Sequence, residues 1–192
     1  MTTLIAGLVL FLGIHSVAIV SPSWRDGMLA RLGEGAWKGI YSVISIAGFV
    51  LIIWGYGVAR QNPVMLYVPP LWTHYVAAVL MLPVFPLLLA TYFPGRIKAA
   101  LKHPMLAAVK LWALAHLVAN GTLADVLLFG GFLVWAVADR ISVNHRPPRA
   151  IRTAPPTAAN DVLAVAIGLV LYALFAFWLH AKWIGVQPLP LS

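Results

Sequence analysis

VLAVAIGLVLYALFAFWL, residues 162–179, runs for eighteen positions without an Asp, Glu, Lys, Arg or His. A run of that length reads as a membrane-crossing helix, because the hydrocarbon core is about 30 Å thick and an α-helix rises about 1.5 Å per residue. Working outward, this run extends to a span at Val162–Trp183. The spans Leu4–Val20, Gly39–Ala59, Leu71–Phe93, Met105–Ala119 and Leu123–Ala138 precede it. The whole chain agrees: 62% of its residues are hydrophobic and 9% charged, with a mean hydropathy of +0.92. A soluble globule carries about 25% charged residues. The expected fold is all-α, an integral membrane bundle of about six transmembrane helices. Strands are excluded because the runs are continuous, whereas barrel strands alternate apolar and polar residues, and lipid-facing backbone must be paired within its own segment.

The fourth and fifth spans share one hydrophobic block from Pro104 to Asp139, interrupted at Asn120-Gly121. That pair reads as a tight left-handed turn, which makes the two helices antiparallel neighbours. Of the thirteen Lys and Arg, ten fall in alternate gaps: Arg25, Arg31, Lys38, then Arg96, Lys98, Lys102, then Arg140, Arg146, Arg149, Arg152. Only Arg60 and Lys182 lie on the other side, with Lys110 inside the fourth span. The bias predicts both termini outside the cytoplasm, with the charged gaps inside. The net charge of +8 is thus a topology signal. Its partner is the lipid bilayer with its anionic headgroups, and nucleic acid is the poorer reading because no basic stripe with interleaved aromatics exists.

Met1-Thr2-Thr3 lacks the basic start of a signal peptide, so the first span is expected to be retained. No cysteine is present, which excludes disulfides and covalently attached haem. One domain over residues 1–192 is the simplest organisation, with a cytoplasmic loop at residues 144–160. Trp24, Met28 and Leu32 recur every four residues, which suits either a short amphipathic helix at the headgroups or a plain loop. Pro83 and Pro86 remove backbone donors and predict a bend in the third span.

Ionisable groups at depth are expensive, so each is a candidate site. His145 falls in the basic loop and reads as solvated. His180, among Trp178, Lys182 and Trp183, and His74, beside Trp72 and Tyr75, read as parts of an interfacial belt. His15 and His116 lie inside apolar spans, and Trp112 and Asn120 share the face of His116 at four-residue spacing. Two readings stand: imidazoles bonded to neighbouring helices, or ligands. Two imidazoles on separate helices are what non-covalent haem b requires, one on each face of the iron. Zinc fits worse, because no third or fourth ligand accompanies them. His103-Pro104 opens the fourth span, and Lys110 follows on nearly the same face. The pair could bind an anionic group such as a propionate or phosphate, or Lys110 could pair with Asp125 or Asp139.

Gly13-Ile14-His15-Ser16, Ile40-Tyr41-Ser42, Gly55-Tyr56-Gly57, His103-Pro104, Leu111-Trp112-Ala113-Leu114-Ala115-His116-Leu117-Val118-Ala119-Asn120-Gly121 and Leu128-Phe129-Gly130 resemble the NnrU family. These are bacterial inner-membrane proteins linked to denitrification and nitric oxide metabolism. The resemblance is strongest over residues 4–140 and weak in the tail. It extends to the related 15-cis-zeta-carotene isomerases, in which two histidines hold haem b during redox-dependent isomerisation of a polyene. Carried over by motif, the resemblance implies that His15 and His116 ligate the haem iron. It also implies a multi-pass protein of the bacterial inner membrane, with a hydrophobic small molecule as the substrate if it is an enzyme. The isomerases have a cysteine where this chain has Ala113, so a thiol-dependent exchange of ligand is absent here. The competing classes are a small-molecule transporter, which the bent third span permits, and a membrane methyltransferase, which would also place His-Pro at a helix start. The sequence leaves the oligomeric state open.

Overall fold

The computed structural model describes residues 1–147 and 151–189. Among them the regular elements are all helical: α1 Thr2–Val20, α2 Pro22–Ala59, α3 Thr73–Met81, α4 Val84–Tyr92, α5 Arg96–Leu101, α6 Pro104–Ala119, α7 Leu123–Ser142, α8 Ala159–Leu174 and α9 His180–Ile184. One wide π-helical turn, Phe175–Leu179, joins α8 to α9. Each sequence-based span is recovered largely as helix, the third as the two helices α3 and α4. Arg149, in the basic loop, lies outside the described residues.

Four stretches are long and apolar enough to cross a membrane: Thr2–Val20, Pro22–Ala59, Thr73–Tyr92 and Ala159–Ile184. The expected fourth and fifth spans differ from these for separate reasons. α6 has 16 residues, or about 24 Å at 1.5 Å per residue. α7 has 20 residues but carries Asp125, Asp139 and Arg140. At 38 residues α2 is too long for one crossing, and it breaks at Gly33, whose φ of 79° is left-handed. The break separates the expected amphipathic segment from the spanning one, and the ring of Trp24 packs edge-on against Trp37 at 6.1 Å. The third span is likewise interrupted, between α3 and α4 at Leu82-Pro83, where the missing proline donor predicts it.

The chain forms two compact units, each discontinuous in sequence: residues 1–66 with 122–148, and residues 67–121 with 149–192. In the first, α1 packs against α2 and α7. Side chains on that contact are small, because a Cβ at Gly7 would stand 2.6 Å from the Ile52 nitrogen and one at Gly48 2.7 Å from the Phe11 nitrogen. In the second, α6 packs against α3 and α4, and α4 against α8. Its core is Val84, Leu87 and Ala108, flanked by Met81, Leu111 and Trp112.

The junction at residues 120–122 corrects one expectation. Asn120 is extended, with φ −135° and ψ 138°, and Gly121 is not among the left-handed glycines. Glycine is required here by proximity, since a Cβ would overlap the Tyr67 carbonyl, and the Tyr67 amide donates to the Gly121 carbonyl at 3.2 Å. α6 and α7, expected to be antiparallel neighbours, belong to different units.

Candidate functional site

α6 begins with His103 as its N-cap and Pro104 in its first turn, where a missing donor costs nothing. The helix ends at Asn120, whose side-chain amide donates to the His116 carbonyl at 2.9 Å. Tyr67 Oη donates to the Asn120 carbonyl at 2.6 Å and also reaches that of Leu117. These bonds satisfy carbonyls that a helix terminus leaves without a partner, and they hold the last turn, with His116, in place.

His116 Nδ1 lies 2.8 Å from the Trp112 carbonyl oxygen. A carbonyl only accepts, so Nδ1 carries the hydrogen and the lone pair of the neutral ring belongs to Nε2. That is the tautomer metal-ligating histidines use, their other nitrogen donating to a carbonyl or carboxylate. The Trp112 ring lies 5.4 Å from the imidazole.

His116 lines a cavity within the second unit. The cavity encloses about 100 Å³ and, counting the open space of its mouth, reaches about 690 Å³. Its wall is mostly apolar, including Met81, Phe85 and Phe175, and its polar groups are His74, His116, Asn120, Tyr172, His180 and Gln187. His74 and His180, read from sequence as parts of an interfacial belt, therefore share a wall with His116. The Lys182 ammonium lies 4.9 Å from the Trp178 ring centre.

His180 is presented by the end of the last helix. Gly185 adopts the left-handed conformation, φ 77° and ψ 16°, and turns the chain back so that residues 186–189 line the cavity. His180 Nδ1 donates to the Val186 carbonyl at 2.7 Å. The rings of His116 and His180 have centres 6.5 Å apart and planes 28° from parallel. Sequence reading missed this pair because it judged each histidine by its immediate neighbours. Depth carried the signal: His74 opens α3, while His116 and His180 lie near the ends of α6 and of the last span.

His15 belongs to the first unit. Its Nδ1 donates to the Phe11 carbonyl at 2.6 Å, the same bond to the residue four before that His116 makes. Its ring stacks on Phe11 at 4.2 Å and meets Tyr41 at 5.1 Å and Trp135 at 6.0 Å. Among the described residues, the buried Trp135 indole N–H and Ser45 hydroxyl have no hydrogen-bond partner.

The remaining candidates divide. Trp112 and Asn120 support His116 directly. His103 and Lys110 do not line the cavity, and His103 stands about 20 Å from His116 along the helix axis. Lys110 does not take the carboxylates considered for it. Asp125, 4% exposed, accepts from Tyr56 Oη at 2.5 Å and closes a capping box with Thr122. Asp139 pairs with Arg146 at 2.6 Å, and Arg146 also donates to the Ala18 carbonyl at 3.0 Å. His145 is exposed, as expected. Among the described residues no three His, Cys, Asp or Glu are grouped to hold a bare metal ion.

A family model described as NnrU protein matches residues 3–188, so the match continues through the tail that the motif comparison found weak. No curated protein and no solved structure matches the chain.

Proposed function

From the premise that this chain belongs to the NnrU family, with helices long and apolar enough to cross a membrane, we propose that it is an inner-membrane haem b protein acting in nitrogen-oxide metabolism. The observation that carries the reading is His116: an imidazole whose Nδ1–H is committed to the Trp112 carbonyl and which lines an apolar cavity. The donor set suits a macrocycle better than a bare ion. A porphyrin supplies four of the iron's bonds, so one or two imidazoles suffice, whereas zinc needs three or four protein ligands. The enclosed part of the cavity, about 100 Å³, is smaller than a macrocycle, so the reading requires the cavity to widen when haem binds.

In this reading His116, kept in place by Trp112 and Asn120, would hold the haem iron. Bound haem would supply one-electron chemistry or a coordination site for a nitrogen oxide, while the protein sets access and polarity around it. Isomerisation of a polyene is a variant of the same reading. It draws support from the apolar wall, but Ala113 leaves no thiol for ligand exchange.

Full-length protein made with haem supply and purified in detergent is expected to show a Soret band that is largely lost in His116→Ala. A colourless wild type that is folded by circular dichroism overturns the proposal. A permease reading rests on the interruption at Leu82-Pro83, and proteoliposome flux with haem-free protein would favour it.

A further inference from the structure

Ser45 and Trp135 each carry a buried polar atom without a partner among the described residues, and the helices of the first unit bring the two to one depth. We infer that the Ser45 hydroxyl and the Trp135 indole N–H together bind a single water molecule between α1, α2 and α7. The inference stands apart from the haem reading.

Register is the first argument. α1 and α2 run antiparallel, because Leu4 lies against Gly55, Gly7 against Ile52 and Phe11 against Gly48. One turn further, the same register sets Ser45 opposite Ile14 and His15. α1 and α7 run parallel: Leu12 lies against Gly131, Phe11 beside Phe132 and His15 beside Trp135. The third side of the triangle agrees. Tyr56 of α2 meets Asp125 of α7, and Ser45 lies eleven residues before Tyr56 while Trp135 lies ten after Asp125. All three pairings close on one level.

Direction is the second argument. Tyr41, Ser45, Gly48 and Ile52 follow one another at steps of four, three and four, the spacing of one helix face. Its other members meet α1: the Tyr41 ring lies 5.1 Å from His15, and Gly48 and Ile52 lie against Phe11 and Gly7. Ser45 sits between them on that face. Trp135 is turned toward the same turn of α1, its ring 6.0 Å from that of His15 and 89° from it in plane.

Chemistry is the third. A serine inside a helix often bonds the carbonyl four residues back, here that of Tyr41, yet the Ser45 hydroxyl does not. An indole N–H can only donate, whereas a hydroxyl both donates and accepts. His15 takes neither group directly, and its own Nδ1–H is committed to the Phe11 carbonyl. A water accepts the indole hydrogen and shares a second bond with the hydroxyl, so one molecule satisfies both. Native proteins leave few buried polar groups unsatisfied, and internal waters with two or more protein partners are a common remedy. α2 and α7 each pack chiefly on α1. The water ties them to each other about 16 Å along the helices from the Tyr56–Asp125 bond.

The test is nuclear magnetic resonance of the full-length protein in detergent, with isotope-labelled tryptophan. The Trp135 indole signal, identified by its loss in Trp135→Phe, should show a cross-peak to a long-lived water. Ser45→Ala should abolish that cross-peak and lower the melting temperature by about 2–4 °C, the shift for one hydrogen bond in a chain of this size. Ser45→Thr keeps the hydroxyl and should keep the cross-peak. A wild-type indole without a water cross-peak overturns the inference, and this measurement decides the matter if the alanine variant fails to fold. A cross-peak that survives unchanged in Ser45→Ala puts the water on the indole alone and overturns the bridge. So does a Ser45→Ala variant as stable as wild type or more so, because deleting a partnerless hydroxyl costs nothing.

Discussion

The unit built from α1, α2 and α7 uses its acidic side chains Asp125 and Asp139 to tie helices together, whereas the unit built from α3–α6, α8 and α9 gathers half-buried polar groups around a cavity. In the first, Arg146 joins Asp139 of α7 to the last turn of α1, and Tyr56 of α2 reaches Asp125 of α7. In the second, one carboxylate does comparable work: Asp161 accepts from the amides of Arg96 and Ile97 at 2.7 and 3.1 Å and so ties α8 to the start of α5. His74, His116, Tyr172 and His180 border the cavity instead. The two histidines inside apolar helices show the same contrast. His15 and His116 make identical bonds to the residue four before them, yet the first is ringed by three aromatic side chains and the second shares a wall with two other histidines.

The comparison breaks first if the ties of the first unit prove dispensable. Arg146→Met should cost about 3 kcal/mol or more, because it strands Asp139, whose side chain is only 13% exposed, as an unpaired buried charge. Replacing both partners by apolar residues should recover most of the loss. Thermal unfolding in detergent, with the single and double variants side by side, measures the difference.

Helix contact is the next lever. Gly48→Ala in the first unit forces a methyl group against the Phe11 backbone and should cost about 1–3 kcal/mol, the range for overpacking. Gly121→Ala in the second meets the Tyr67 carbonyl and should cost a similar amount. Equal stability of either variant and wild type would show that the helices yield where the close approach says they cannot.

Smaller effects should separate structure from site. Asp161→Asn weakens two charge-assisted bonds and should cost about 1.5 kcal/mol with the haem spectrum unchanged. Tyr172→Phe removes the bond from its hydroxyl to the Ala78 carbonyl at 3.0 Å and should cost about 1 kcal/mol or less. Because Tyr172 lines the cavity, it should also shift the Soret maximum, a change Asp161→Asn should not produce. Identical spectra for both variants would erase the distinction between the tying carboxylate and the cavity wall.

Much of the architecture was legible in the residues. Run length located the helices, Pro83 marked the interruption of the third span, and the spacing of Trp24, Met28 and Leu32 marked the segment before the break at Gly33. These are local signals, set by backbone donors, side-chain periodicity and the thickness of a bilayer. The motif around His116 likewise anticipated its two supporting residues, because Trp112 and Asn120 are fixed to it by helical spacing alone.

Other features depended on chain segments far apart in sequence. Asn120-Gly121 looked like a left-handed turn, but the glycine is there because Tyr67 passes close by. His180 looked interfacial, and only the wide turn before it, the reversal at Gly185 and the approach of α6 to its neighbours set it beside His116. Sequence by itself determined a helical membrane protein of this family and singled out His116 with its two helical neighbours. Tertiary structure alone decided which of them share a cavity, because that depends on which helices touch and at what depth, and neither is encoded in the residues adjoining each histidine.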